Sequence, residues 1–314
     1  MGKIAFVFPG QGAQYVGMGK EVAENYKVAD DVFNTANECL GIDIKQICFE
    51  GPEEELKKTV ITQPAVLTTS IALLKVFEHY DIKPDFVAGL SLGEYSALVA
   101  ADVIDFEEAL PLVQKRGRFM QEAVPLGKGT MAAIIGLDKE TIHEICEEAT
   151  RLYGLVEPAN YNCPGQIAIS GLTESVKKAV ELSLEKGARK AVELPVSAPF
   201  HSSLLKPAGE HLLEEIKKIN FRIPKIPVIS NVTADYVCEP DEIKELLVKQ
   251  VSSPVLWEDS IRKMIEDGVE VFVEVGPGRS LSGFVKKVDR RKKVLNVQDI
   301  DSIEKAQKAL REAV

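Results

Sequence analysis

A short turn between a predicted strand and a predicted helix constrains this chain most. Phe86–Gly89 is apolar and predicts a buried strand, and Leu92–Ala101 consists mainly of small and apolar residues, which is typical of a buried helix. The two are joined by Gly-Leu-Ser-Leu-Gly at residues 89–93, so the chain passes from strand to helix within a few residues. A strand, a tight turn and a helix in this order indicate an α/β layered domain.

The rest of the chain divides into a larger α/β part and a smaller inserted part. Helices are predicted at residues 20–40, Gln63–Tyr80, Lys139–Tyr153 and Thr173–Lys186. Further strands are predicted at Ile4–Phe8, Met131–Gly136, Gln166–Gly171, Lys190–Leu194, Val228–Ser230 and Val271–Val275. A β-α-β-α-β pattern between residues 127 and 196 is typical of a ferredoxin-like unit. We therefore predict a large α/β-hydrolase-like domain with a parallel sheet (residues 1–126 and 197–314) and an inserted ferredoxin-like subdomain (residues 127–196).

Composition narrows the classes of function. The 48 Asp and Glu residues outnumber the 38 Lys and Arg residues, and the resulting net charge of −10 argues against nucleic-acid binding. The five cysteines include no CxxC pair, which argues against a disulfide framework or a zinc site, and no metal is expected. We find no run of about 18 apolar residues, the length a membrane helix needs, and no secretory signal. A cytoplasmic location without membrane contact is therefore expected.

Ser91 is the candidate nucleophile. Glycines two residues before and after it would let the backbone make a sharp turn without Cβ clashes. The serine would then stand at a helix N-terminus, where the backbone N–H of Leu92 could stabilise the negative charge on an acyl oxygen. The alternative is a tight turn with a helix-capping serine, because the five-residue pattern also occurs in unrelated proteins.

A serine hydroxyl needs a general base, and the chain has four histidines. Three of them lie in helical patterns and have the character of surface or helix-end residues: His79, His143 and His211. His201 lies in an irregular segment, where the inserted part would rejoin the large domain, and is the candidate base. No Asp or Glu is marked out to orient it, so a backbone carbonyl or an amide could do so.

One basic segment stands out in this acidic chain. Residues 286–293 carry six positive charges in eight positions. They could form a solvated helix end next to a strand, or a docking patch for an acidic partner. The candidate docking residues are Lys286, Lys287, Arg290 and Arg291.

Several motifs in order give the chain a family resemblance. They are Phe8–Gln14, Gly89–Tyr95, Gln114–Gly117, Asn160–Gln166, Ala198–Ser202, Ser230–Val232, Gln250–Trp257 and Glu274–Gly278. Together they span nearly the whole chain. In these motifs the chain resembles the malonyl-CoA:acyl carrier protein transacylases of bacterial fatty acid synthesis.

The resemblance implies a role for each matching residue. Ser91 would be malonylated, and His201 would act as general base and then general acid. Gln11 would supply a second oxyanion-hole N–H beside that of Leu92. Arg116 would bind the free carboxylate of the malonyl group, a task that suits its planar guanidinium.

Four further residues follow from the same resemblance. Gln250 would orient His201 through its backbone carbonyl, with support from Asn231, and Asn160 would belong to the substrate-binding residues. Phe200 resembles the position where a bulky ring favours unbranched malonyl over methylmalonyl. The chain departs from many members at Leu90, where they have His, which could alter the pH profile or the acyl preference.

The resemblance also sets the expected partners. Malonyl-CoA would be the substrate, acyl carrier protein the acceptor, and no cofactor would be bound; we expect a monomer. A serine hydrolase and a non-catalytic binding protein of the same fold are the alternatives, and service to a polyketide carrier protein is a variant of the same chemistry. The hydrolase alternative offers no reason for Arg116 or for the turn at Gln11.

Overall fold

The computed structural model describes residues 2–80, 82–196 and 198–311. The described part has ten strands, β1 to β10, at Lys3–Phe8, Phe86–Gly89, Gly129–Ile135, Val156–Cys163, Gln166–Leu172, Lys190–Glu193, Val228–Ile229, Tyr236–Val237, Val269–Val275 and Lys293–Val297. The same residues form fourteen α-helices, α1 to α14, at Lys20–Asn25, Lys27–Leu40, Ile44–Glu50, Glu53–Leu56, Thr59–Glu78, Gly93–Ala100, Phe106–Glu122, Lys139–Tyr153, Thr173–Glu185, Lys206–Ile216, Pro240–Gln250, Trp257–Glu266, Ser280–Val288 and Ile300–Arg311. The predicted domain bounds at residues 1, 197 and 314 lie outside the described residues.

The larger sheet has six strands in the order β10-β9-β1-β2-β7-β8. All neighbouring pairs are parallel except β7 with β8. Alternate residues of β1 enter different cores, with Phe6 and Phe8 on one face and Ala5 and Val7 on the other. Burial on both faces explains why this strand is a continuous apolar run.

The smaller sheet is antiparallel, with the order β4-β5-β3-β6, and packs against α8 and α9. The sequence therefore runs β-α-β-β-α-β, and the predicted β-α-β-α-β pattern was wrong in omitting β4. That strand carries Pro158 and the polar residues Glu157, Asn160 and Asn162, which weaken its strand pattern. Because β4 is an edge strand, the missing N–H of the proline is tolerated there.

The edge strand of the smaller sheet pairs with the segment that follows α11. The backbone N–H of Tyr161 in β4 donates to the carbonyl of Val255 at 2.9 Å, and the N–H of Val255 donates to the carbonyl of Ala159 at 2.9 Å. These bonds fix the edge of the smaller sheet beside the segment that follows Gln250.

Helix α5 is more apolar over its length than the sequence analysis predicted for any segment of this chain. Thr59–Glu78 is long and apolar enough, by length and composition, to cross a membrane, although the sequence analysis found no such run. In the fold, 89% of its apolar stretch is buried inside the protein. The helix packs against α2 and α7 as a core element.

Candidate active site

The turn that carries Ser91 follows the carboxyl end of β2. Ser91 has φ 54°, a left-handed conformation that is rare for a residue with a side chain. A Cβ atom on Gly89 would lie 2.0 Å from the backbone of Gly93, and one on Gly93 would lie 2.1 Å from the carbonyl oxygen of Phe8. Only glycine fits at these two positions. Because Phe8 is the last residue of β1, the close approach at Gly93 places the turn beside the end of that strand.

His201 contacts Ser91 directly. Its Nε2 lies 2.7 Å from Ser91 Oγ, and its Nδ1 donates to the backbone carbonyl of Gln250 at 2.8 Å. This carbonyl fixes the tautomer in which Nε2 can accept the serine proton. Burial lowers the pKa of His201 to about 4, and the positive charge of Arg116 acts in the same direction. The imidazole is therefore neutral at pH 7 and can act as a base.

Arg116 lies on α7 and is only 1% exposed. Its Nη2 donates to Ser91 Oγ at 3.2 Å and to Gln250 Oε1 at 2.8 Å, and its Nη1 donates to Gln63 Oε1 at 2.9 Å. Neutral amide oxygens hold the guanidinium, so its positive charge remains available beside the nucleophile. An anionic group of a substrate could bind it there.

The side-chain amides of Asn231 and Gln250 form hydrogen bonds with the backbone of the turn. Asn231 Oδ1 accepts from the backbone N–H of Ser91 at 2.6 Å, and its Nδ2 donates to the carbonyl of Gly89 at 2.7 Å. Gln250 Nε2 donates to the carbonyl of Ser91 at 3.0 Å and to Glu94 Oε2 at 2.7 Å. Both amides are fully buried, so the unusual backbone of the turn is fixed by several side-chain hydrogen bonds.

A cleft of about 240 Å³ opens above Ser91 and His201. The other predicted site residues that line it are Gln11, Leu92, Arg116, Asn160 and Phe200. Leu90, the residue that departs from the family pattern, lines it as well. No described group accepts a hydrogen bond from the backbone N–H of Gln11 or of Leu92, and both residues line the cleft.

Comparison with known proteins identifies the family. Residues 5–312 match the acyl transferase domain family. The chain is 51% identical over 312 residues to the malonyl CoA-acyl carrier protein transacylase of Bacillus subtilis, covering 99% of this chain and 98% of that protein. The chain belongs to the malonyl CoA-acyl carrier protein transacylase family. It is also 48% identical over 289 residues to the Escherichia coli K12 transacylase, covering 92% of this chain and 93% of that one.

Solved transacylase structures have the same fold. The Clostridium perfringens malonyl CoA-acyl carrier protein transacylase matches with a TM-score of 0.95 at 50% identity, covering 99% of this chain and 98% of that chain. A malonyl-transacylase solved in complex with a type II PKS acyl-carrier protein matches with a TM-score of 0.95 at 41% identity, covering 98% and 99%. The predicted α/β fold class and the predicted enzyme class, an acyltransferase, are confirmed.

Sequence reasoning missed two polar residues of this acyltransferase site. Gln63 holds Arg116, and Glu94 holds Gln250. Each is a long polar side chain within an apolar helix, α5 for Gln63 and α6 for Glu94, and both are buried. A long polar side chain among the small and apolar residues of a buried helix was the signal that could have identified them.

The basic segment of the transacylase is less uniform than its sequence suggests. Lys292 is 7% exposed and pairs with Glu270 at 2.7 Å, so its charge is neutralised. Lys286, Lys287, Arg290 and Arg291 are exposed, although Arg291 also contacts Asp289. The first two lie on α13, the helix that contributes Ser280, Leu281 and Phe284 to the cleft. Exposed positive charge therefore lies on an element that borders the cleft.

Among the described residues, no group of three or more His, Cys, Asp or Glu side chains could hold a metal ion.

Proposed function

We propose that this acyltransferase moves the malonyl group of malonyl-CoA to the phosphopantetheine thiol of acyl carrier protein through a malonyl ester of Ser91. The observation that carries the proposal is the position of Ser91 Oγ, which lies 2.7 Å from His201 Nε2 and 3.2 Å from Arg116 Nη2. A nucleophile between a neutral base and a buried guanidinium suits an acyl group that carries its own carboxylate.

In the first half-reaction His201 accepts the proton of Ser91 as the hydroxyl oxygen attacks the thioester carbonyl. The negative charge that develops on the carbonyl oxygen of the thioester is stabilised by the N–H groups of Gln11 and Leu92. The tetrahedral intermediate then breaks its C–S bond, and His201 gives the proton to the sulfur of departing CoA.

The second half-reaction reverses these roles with a new thiol. His201 takes the proton of the carrier thiol, the sulfur attacks the malonyl ester, and the proton returns to Ser91 as the ester C–O bond breaks. Arg116 holds the malonyl carboxylate throughout, which keeps the ester oriented between the two steps. We propose that the Phe200 ring limits space for a branched acyl group and that Asn160 contacts the substrate, because both line the cleft.

The remaining assignments belong to the same proposal. The basic residues of α13 and the turn after it would dock acyl carrier protein in fatty acid synthesis: Lys286, Lys287, Arg290 and Arg291. Residues 127–196 would form the inserted subdomain, and residues 1–126 and 197–314 the large domain. All groups that the two half-reactions require come from the chain itself, so we expect no cofactor. We also propose a monomeric enzyme in the cytoplasm.

Intact-mass spectrometry tests the proposed function. The protein mixed with malonyl-CoA should gain one malonyl group, and the Ser91→Ala variant should gain none. Adding acyl carrier protein that bears phosphopantetheine should remove the adduct and place it on the carrier. Release of free malonate as the main product at saturating carrier would favour a hydrolase and contradict the proposal.

A further inference from the structure

A buried carboxylate lies one helical turn after the nucleophile. Glu94 is the only charged residue of α6 and is 2% exposed. Neither half-reaction described above uses its side chain. Burial of a carboxylate is costly unless hydrogen bonds or charges compensate it, so the contacts of Glu94 indicate its role.

Glu94 reaches the guanidinium through one amide. Its Oε2 accepts from Gln250 Nε2 at 2.7 Å and from the backbone N–H of Asn231 at 3.1 Å. At the other end of the same amide, Gln250 Oε1 accepts from Arg116 Nη2 at 2.8 Å. An amide has one donating end and one accepting end, whereas a carboxylate only accepts. The carboxylate, together with the carbonyl of Ser91 at 3.0 Å, therefore selects the orientation that turns the amide oxygen toward Arg116.

We propose that Glu94 is a positioning residue, which fixes the side-chain amide of Gln250 and thereby holds the Arg116 guanidinium beside Ser91. The inference rests on the proposed function, in which Arg116 binds the malonyl carboxylate. If the amide turned over, its NH₂ group would face the guanidinium and one of the acceptors that hold Arg116 would be lost.

The electrostatics of the site agree with this role. Burial raises the pKa of Glu94 to about 7, while hydrogen bonds from Asn231 and Gln250 and the charge of Arg116 oppose the rise. Above that pH the side chain is a carboxylate and accepts both hydrogen bonds. Burial also lowers the pKa of Arg116, and the negative charge of Glu94 helps to keep the guanidinium protonated.

Two rates at Ser91 test the role. Malonylation by malonyl-CoA needs Arg116 to bind the free carboxylate, whereas phenylmethanesulfonyl fluoride, a neutral reagent that also reacts with Ser91, has no carboxylate for Arg116 to bind. Glu94→Leu removes the acceptor and should slow malonylation by roughly 10- to 100-fold, as expected for a lost hydrogen bond to a charged group. Sulfonylation should slow much less. Glu94→Gln keeps an acceptor oxygen and should restore most of the malonylation rate.

Glu258→Gln is the matched control, because Glu258 is a buried glutamate that pairs with Arg262 outside the cleft. It should leave both rates close to those of the wild type. An equal loss of both rates in Glu94→Leu would mean general damage to the fold and would overturn the positioning role. A Glu94→Leu variant with unchanged malonylation would overturn it as well.

A double-mutant cycle asks whether Glu94 acts through Gln250. Gln250→Met removes the amide but keeps the backbone carbonyl that orients His201. If Glu94 acts through that amide, adding Glu94→Leu to Gln250→Met should cause little further loss of malonylation. Fully additive losses would overturn the proposed route. A wild-type protein that forms no malonyl adduct on Ser91 would instead overturn the proposed function itself.

Discussion

Two histidine–hydroxyl pairs in this molecule have the same separation and different surroundings. At the larger sheet, His201 Nε2 lies 2.7 Å from Ser91 Oγ, and at the smaller sheet His143 Nε2 lies 2.7 Å from the hydroxyl of Tyr161. His201 is 4% exposed, whereas His143 is exposed on α8. The distance alone therefore does not mark a catalytic pair.

The surroundings make the difference. The carbonyl of Gln250 fixes the tautomer of His201, and Arg116 lies beside the serine hydroxyl. The second pair is a stacked contact in which burial raises the pKa of Tyr161 to about 12, so the phenol keeps its proton at neutral pH. We infer that a buried imidazole with a fixed tautomer and a buried guanidinium beside the hydroxyl distinguish the first pair.

The largest expected effect separates the two histidines. His201→Ala should slow malonylation of Ser91 by about 10⁴-fold or more, because the hydroxyl loses its base. His143→Ala should change the rate by less than about 2-fold, as is usual for a surface substitution. Rapid-quench mass spectrometry with malonyl-CoA measures both. Comparable losses in the two variants would contradict the distinction.

Arg116 is expected to give the next largest effect. Arg116→Ala should lower kcat/KM for malonyl-CoA by roughly 10² to 10³-fold, because a buried charge pair with the substrate is lost. The loss for acetyl-CoA, which has no free carboxylate, should be much smaller. The matched control is Arg118→Ala, two residues along α7 and exposed. Equal losses of kcat/KM for both substrates would show that Arg116 does not bind the malonyl carboxylate.

Asn231 should affect both activity and stability. Asn231→Ala leaves the N–H of Ser91 and the carbonyl of Gly89 without their partner, so the free energy of unfolding should fall by about 1–3 kcal/mol. Malonylation should slow by about 10-fold, because the turn is less well fixed. Chemical denaturation and the rapid-quench assay measure the two effects, with the exposed Asn25→Ala as control. An Asn231→Ala variant with unchanged stability and an unchanged malonylation rate would contradict the claim that Asn231 fixes the turn.

The smallest effect is expected at the basic segment. The double variant Lys287→Glu and Arg290→Glu should raise KM for acyl carrier protein by about 5- to 10-fold at low salt, and less at high salt, because exposed charges mainly assist association. The double variant Lys217→Glu and Lys218→Glu, at two exposed lysines directly after α10, serves as the charge-matched control. A KM for the carrier that is insensitive to both charge and salt would argue against docking at this segment.

The sequence predicted Ser91 and His201 better than it predicted the residues that hold them in place. The turn at Ser91 was predictable because glycine is required on both sides of it, and the bounds of α8 matched because the helix has a clear apolar face. Strand β4 was missed because its polar residues Asn160 and Asn162 line the cleft and Pro158 interrupts its pattern. A strand is predicted from a pattern of apolar residues that indicates burial. A strand that places polar residues in the site lacks that pattern and is not predicted.

The contacts around Arg116 could not be predicted from local sequence. Gln63 and Gln250 lie 53 and 134 positions from Arg116 along the chain and meet it only after α5, α7 and α11 pack together. The family resemblance supplied Arg116 and Gln250, whereas Glu94 and Gln63 emerged only from the structure. Side chains that act through other side chains leave little trace in residue type or spacing.

The pH dependence of Ser91 malonylation tests the central claim most directly. His201 must be neutral to accept the serine proton, and burial and Arg116 lower its pKa to about 4. In the Glu94→Gln variant, which lacks the carboxyl group whose pKa is about 7, kcat/KM should therefore hold as the pH falls through 6.5 and decline only near pH 4. A decline centred near pH 6.5, the ordinary value for histidine, would contradict the claim that a buried, neutral His201 is the base.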